Sequence, residues 1–316
     1  MEKVLTLEHV SWNVSDLERS KHFFQDLLGL EVLDYLEGGG AWVDQMVNVK
    51  DTFHQQYRMY APFGPGLTDR GPTFTIDTLF WKSPGASVRR PSVSDFPQVH
   101  VALGVKDLDA SYERLEAAGA EFLSPPTHWP EEEGGWAVQF MFDPDGFFVE
   151  LIQIESNEEA PGEVLTCEHV ATTVGDLDRS RHFYIDLLGL EEVSYVEHHG
   201  GQVEVMCQTP GMIIREYRTR PRGGPGPAGK EHGFTLDLIE WVTPRGKHLP
   251  PPMNQIPVGH FCFGVEDIYA SYEQMKEAGV EFISPPVTWP KDEGGWTAVS
   301  FHDPDGLLLE LVQLED

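Results

Sequence analysis

The sequence predicts an α+β protein made of two tandem halves, each holding two β-α-β-β-β modules. Three observations carry that prediction. The stretch FDPDGFFVELIQ, from Phe142 to Gln153, returns as HDPDGLLLELVQ, from His302 to Gln313. The same offset of 160 residues carries His9 to His169, His100 to His260, Gly29 to Gly189, Trp136 to Trp296 and Asp77 to Asp237. Within each half, period-two alternation gives way to helical periodicity and returns, twice over. A period this long lies outside the solenoid range and implies two units of similar fold. The expected division is residues 1–155, a linker at 156–163 (within ESNEEAPGE), and residues 164–316.

The elements follow in order. LTLEHVSWNV (5–14) alternates as a strand, with Leu5, Leu7, His9, Ser11 and Asn13 on one parity and Val10, Trp12 and Val14 on the other. Asp16 is placed to cap the helix LERSKHFFQDLLG, and Gly29 to stop it. Strands are expected at Glu31–Glu37, Phe53–Tyr60 and Thr73–Trp81, with Gly38, Gly39 and Gly40 as a turn. The pattern then restarts. VHVALGV is a strand, and DLDASYERLEAAG is a helix between Asp107 and Gly119. A strand begins at Phe122, and two more cover Ala137–Phe142 and Phe147–Ile154. From Val164 the programme repeats.

Composition narrows the function. Forty per cent apolar residues with no long apolar run indicate a soluble globular chain without a membrane span. The opening MEKVLTLEHV runs straight into a strand, which argues against a signal peptide and for the cytoplasm. Cys167, Cys207 and Cys262 form no CxxC pair and no disulfide framework. With 22 basic against 52 acidic residues the net charge is −30, so nucleic acid and anionic membranes are repelled. A small molecule is the expected partner, and homo-oligomerisation is left open.

Glu150 and Glu310 each sit in an otherwise apolar strand behind an Asp-Pro-Asp-Gly turn. A buried carboxylate costs several kcal/mol, about 2–7 even for a neutral polar group, unless it is partnered. A metal would serve as that partner, and an outward-facing strand glutamate is the alternative. The same rhythm places His9 and His100 in strands that open successive modules, with His169 and His260 as their echoes. Ala102 and Gly104 share the parity of His100, as Cys262 and Gly264 share that of His260, which leaves room for a ligand. Two histidines and a carboxylate that converge make a facial triad with open positions, suited to Fe(II) and O₂ chemistry. They would equally hold Mn(II), Zn(II) or Ni(II) as a Lewis acid.

EHVSWNVSDLERSKHFFQDLLGL, VHVALGVKDLDASYERLEAAGAEFLSPP and DPDGFFVELIQ, with their second copies, resemble the vicinal oxygen chelate superfamily. That superfamily includes glyoxalase I, methylmalonyl-CoA epimerase, extradiol dioxygenases and fosfomycin- or bleomycin-resistance proteins. The resemblance covers nearly the whole chain. It implies paired modules whose curved mixed sheet forms a cup around one divalent metal. It also implies His9, His100 and Glu150, and His169, His260 and Glu310, as ligands. Whether His9 joins His100 and Glu150 or joins His260 and Glu310 is left open. Register with the glyoxalase pattern puts Asp77 and Asp237 at a fourth-ligand position. Aspartate is shorter than the usual Glu or Gln, and an ordinary strand aspartate with a hydrogen-bonding partner is the other reading.

Three reaction classes follow. The leading one is an Fe(II)- or Mn(II)-dependent ring-cleaving dioxygenase acting on a small aromatic that chelates the metal through vicinal oxygens. The second is a non-redox lyase or isomerase of glyoxalase or epimerase type. The third is a resistance-type binding protein, against which the intact triads speak. The tyrosine that extradiol enzymes often carry before the DPxG turn is absent, which weighs against an ordinary catechol dioxygenase. His302, just before the second turn, and Tyr60, which ends the run His54, Gln56, Arg58 and Tyr60, are the acid-base candidates. That run becomes Ile214, Glu216, Arg218 and Arg220 in the second half, and reads either as a cup wall or as a solvated face. Trp129, Trp136, Trp289 and Trp296 form a prospective aromatic rim. Cys167 and Cys262 read as small core residues, and His22 and His182 as helix-face residues.

Overall fold

The computed structural model describes residues 3–65, 67–68, 71–156, 164–222, 234–290 and 295–314. Asp16 caps α1 (Leu17–Lys21) by accepting from the Arg19 N–H at 3.0 Å, and the helix continues as a wider π-helical turn over His22–Leu27. Asp176 does the same for α4 (Leu177–Arg181). Asp107 and Asp267 cap α3 (Leu108–Ala117) and α6 (Ile268–Glu277). These short polar side chains satisfy the otherwise orphaned N–H groups of each first turn.

The strands of the first half are β1 (Thr6–Asn13), β2 (Glu31–Gly39), β3 (Phe53–Tyr60), β4 (Thr75–Ser83), β5 (Gln98–Val105), β6 (Ala137–Phe142) and β7 (Phe148–Gln153). Those of the second are β8 (Val164–Val174), β9 (Glu191–His199), β10 (Ile213–Arg220), β11 (Thr235–Thr243), β12 (Gly259–Val265), β13 (Thr297–His302) and β14 (Leu308–Gln313). The three glycines expected as a turn are not one. Strand β2 runs through Gly39, and Gly40, at φ 87°, begins the helix α2 (Ala41–Val47). Its counterpart is α5 (Gln202–Met206).

Two curled mixed sheets result. One runs Val287–Thr288, β13, β14, β12, β1, β4, β3, β2; the other runs Thr127–His128, β6, β7, β5, β8, β11, β10, β9. Neither sheet is confined to one half of the chain. The first joins the opening module to the last through antiparallel β1 and β12, and the second joins the two middle modules through β5 and β8. The question of module pairing is thereby answered: His9 shares a sheet with His260 and Glu310.

The convex faces of both sheets and the helices share one apolar core, which contains Trp12, Phe24, Val101, Phe147, Leu236, Phe261 and Phe301. Val99, Val101, Leu103 and Val105 face it, as their parity requires. The concave faces carry separate, smaller apolar clusters. One includes Val43 and Val47 of α2, and the other Val203 and Met206 of α5, so each short helix packs into a cup.

Candidate metal centres

Each cup is assembled along a cross-strand row. In the first, His9 pairs with Cys262 and Cys262 with Glu310; in the second, His169 pairs with Ala102 and Ala102 with Glu150. His260 and His100 sit two residues before Cys262 and Ala102, on the same face. The rows converge: His9 Nε2 lies 3.1 Å from His260 Nε2, and His100 Nε2 lies 3.3 Å from His169 Nε2. Glu150 Oε2 is 3.4 Å from His100 Nε2 and 3.1 Å from His169 Nε2, while Glu310 Oε2 is 3.8 Å from His260 Nε2. Paired imidazole nitrogens aimed at a carboxylate inside a cup form a donor set that fits a divalent cation.

Simple alternation does not deliver His9. Leu7, on its parity in the sequence, lies fully buried in the central core. A register shift between Leu7 and His9, repeated between Cys167 and His169, turns the histidines into the cups. Such β-bulges commonly re-aim a side chain beside a site. Cys167, expected as a small core residue, packs in the central core, whereas Cys262, expected as another, stays on the cup face. The space expected beside Gly104 is taken. A Cβ there would lie 2.3 Å from Thr166 Oγ1 and 3.0 Å from Glu168 Oε1, so glycine is required for close approach across the bulge.

The two cups differ in charge. In the second, burial would raise Glu150, yet His169 and His100 hold its carboxyl down at about 2. Burial would lower His169, yet Asp237 and Glu150 together hold it up at about 9. His169 and Glu150 there form an ion pair. In the first, burial, with His260 and Arg58 adding to it, pushes His9 well below its usual range. Burial with nearby His54 takes His260 to about 4, and burial raises Glu310 to about 7. In that cup burial disfavours the charged form of all three donors.

Asp77 and Asp237 lie on the next row, Asp77 opposite Ser11 and Arg58, and Asp237 opposite Ala171 and Arg218. Both are buried, and burial raises both to about 7. Each is hydrogen-bonded by a threonine, Thr75 or Thr235, and each keeps an Oδ1 without a partner. Asp237 Oδ2 stands 4.0 Å from His169 Nδ1, and neither aspartate belongs to the tightly convergent donor groups. Both stand on the cup face one row beyond His9 and His169, outside those groups.

The wall reading holds for part of the β3 run. Arg58 is paired with Asp34, its Nε 2.8 Å from Oδ1, and Arg218 Nε lies 2.6 Å from Glu216 Oε1 and 3.9 Å from Asp237 Oδ2. His54 is packed near Trp81 and lowered to about 4 by burial. Tyr60 instead hydrogen-bonds Glu31 on the neighbouring strand, which raises its phenol, and it is not brought to the donor cluster. His302 pairs with Leu308 and Leu308 with His260, so it shares their row, but at the exposed rim. Trp129 and Trp289 pack against the cup linings, whereas Trp136 and Trp296 are exposed. His22 and His182 are exposed and bonded to Asp26 and Asp186, as helix-face residues. Phe140 and Phe148 flank His100 where the first cup has Ser300 and Leu308, a difference the 160-residue offset exposes.

Among the described residues, no helix is long and apolar enough to cross a membrane. The model of the Glyoxalase/Bleomycin resistance protein/Dioxygenase superfamily matches residues 6–151 and 166–311. The chain is 24% identical to lactoylglutathione lyase GLX1 of Arabidopsis thaliana, over 98% of this chain and 91% of that protein. It is 27% identical to a 2-epi-5-epi-valiolone epimerase from Actinomyces sp., over 51% of this chain and 85% of that protein. The structure of glyoxalase I from Zea mays superposes with a TM-score of 0.62 at 19% identity, covering 98% of this chain and 92% of that one, a likeness of fold. Two matched segments spanning nearly the whole chain, each contributing strands to both cups, place it in the Glyoxalase/Bleomycin resistance protein/Dioxygenase superfamily.

Proposed function

We propose that the chain is a metal-dependent, non-redox lyase or isomerase acting on a small molecule with two vicinal oxygens. The observation that carries this reading is the buried aspartate on the row beside each triad, with one oxygen left unpartnered. A carboxylate so placed is suited to take a proton from a bound substrate and return it. His100, His169 and Glu150 would hold the cation in the second cup, and His9, His260 and Glu310 in the first. Zn(II), Ni(II), Mn(II) and Fe(II) all suit such nitrogen and oxygen donors. When bound, the cation acts as a Lewis acid that polarises the substrate's oxygens. The chain's own contribution is to orient the substrate against Phe140 and Phe148, to exclude water beneath α5, and to move a proton at Asp237 Oδ1.

The curated relatives, named as lactoylglutathione lyases and an epimerase, support this order of readings. The dioxygenase reading, with Fe(II) and an aromatic substrate, comes second: neither His302 nor Tyr60 stands at the donor cluster. The test is anaerobic formation or cleavage of lactoylglutathione, and solvent deuterium exchange into 2-hydroxy and 2-oxo compounds. Oxygen uptake with catechols and hydroquinones runs alongside. Anaerobic turnover that is lost in Asp237→Asn with metal retained is expected. Turnover that requires O₂ would overturn the proposal in favour of the dioxygenase.

A further inference from the structure

The two cups share their histidines and glutamates but differ at the residue between them. In the second cup that residue is Ala102, and its small side chain lets His169 reach Glu150 at 3.1 Å. In the first cup it is Cys262, which pairs with His9 on one side and with Glu310 on the other. A donor atom each from His9, Cys262 and Glu310 lie within 4.8 Å of one another, and His260 Nε2 is 3.1 Å from His9 Nε2. Asp77, on the adjoining row, is 2% exposed with an unpartnered oxygen. The thiol therefore sits among convergent donors, not alone in apolar packing.

We propose that Cys262 is a metal ligand, making the first cup a closed two-histidine, cysteine and glutamate site for a borderline-soft cation such as Zn(II) or Co(II). Four protein donors complete a tetrahedral shell of the kind that holds structural zinc, whereas three leave a position for substrate. Thiolate also selects softer cations than carboxylate and imidazole alone. A thiol binds metal as thiolate, so the entering cation displaces its proton. The duplicated cups thus divide the work: the second remains open, and the first is sealed by its own side chain. The inference rests on the reading that both triads bind metal.

The test is cobalt substitution of the full chain, followed by absorption spectroscopy and metal analysis. The expected result is two cobalt ions per chain and a thiolate-to-cobalt charge-transfer band in the near ultraviolet. The band should vanish in Cys262→Ala and persist in Cys207→Ala, whose thiol is buried in the lining of the other cup. Ala102→Cys, which carries the thiol into the second cup, should about double the band, since the same donor then meets a second ion. Two bound ions with no band, or a band that survives Cys262→Ala, would overturn the inference while leaving the metal reading intact. Failure to bind cobalt at all would overturn both.

Discussion

The indole N–H of Trp12 donates to the buried carboxylate of Asp143 at 3.1 Å, across the boundary between the two sheets. Trp12 belongs to β1 of the first cup, and Asp143 opens the turn before β7 of the second. In the other half the bond is made by the Tyr184 hydroxyl to Asp303, at 3.0 Å. The acceptor has kept its place, and the donor has moved from strand to helix: Trp12 corresponds to Thr172, and Tyr184 to Phe24. Arg19 with Asp145, and Arg179 with Asp305, complete each clasp. The Asp-Pro-Asp-Gly turns thus join the cups to each other as well as ending strands.

Tyr184→Phe should therefore destabilise the protein by about 1–3 kcal/mol, the cost of leaving a buried acceptor without its donor. Trp12→Phe keeps a ring against Phe147, which now stacks at 4.0 Å, and should cost a similar amount. Urea unfolding of the single and double variants checks this. A double variant as stable as the parent would contradict the clasp.

Metal content should follow the crossed pairing. His100→Ala and His169→Ala should each lose one ion per chain, and the double variant still only one. His9→Ala and Cys262→Ala combined with His100→Ala should lose both. Metal analysis after gel filtration decides between this and pairing within halves, which predicts the opposite pattern.

The second cup, isolated in the variant carrying His9→Ala and Cys262→Ala, should bind its cation more tightly as pH rises. His169 is held at about 9, so below that pH the cation must displace a proton from it. Affinity should climb by up to about tenfold per unit and level off near pH 9, with about one proton released per ion. Competition with a chelator across that range, together with calorimetry in buffers of different ionisation enthalpy, measures both. A flat profile from pH 6 to 9 would contradict the ion pair.

Gly104→Ala should cost about 1–3 kcal/mol, the usual range for overpacking. It should also weaken metal binding in the second cup, because the new Cβ would press on Thr166 and Glu168, beside the bulge that aims His169. Thermal unfolding and metal titration of this variant read the two effects separately. Full metal affinity with lowered stability would mean that the bulge does not set the histidine.

Much of the fold is legible in the sequence, because the signals are local. Asp16 and Asp107 announce their helices, and strict alternation around His100 sorts cup from core. The bulge before His9 is not legible: Leu7 and His9 share a parity on paper, and only pairing against β12 separates them. AWVDQMV is too short for a helical period to emerge beside three glycines, so α2 is hidden. Module pairing is hidden for another reason. In a duplicated chain the edge of β1 complements β5 and β12 almost equally, and local pattern cannot choose between them. Cys262 looks like any small core residue until its neighbours across the sheet are known.

The crossed sheets also constrain how such a chain can diverge. Duplication ordinarily releases one copy to drift while the other keeps its role. Here each copy supplies one wall of both cups, so decay of either would dismantle both centres at once. Innovation must instead accumulate cup by cup, on residues drawn from opposite ends of the polypeptide. His54 and Gln56 near the start and Cys262 and Ser300 near the end are inherited together as one centre, although some two hundred residues separate them. The unit on which selection acts is the sheet, and the gene's own repeat boundary is invisible to it.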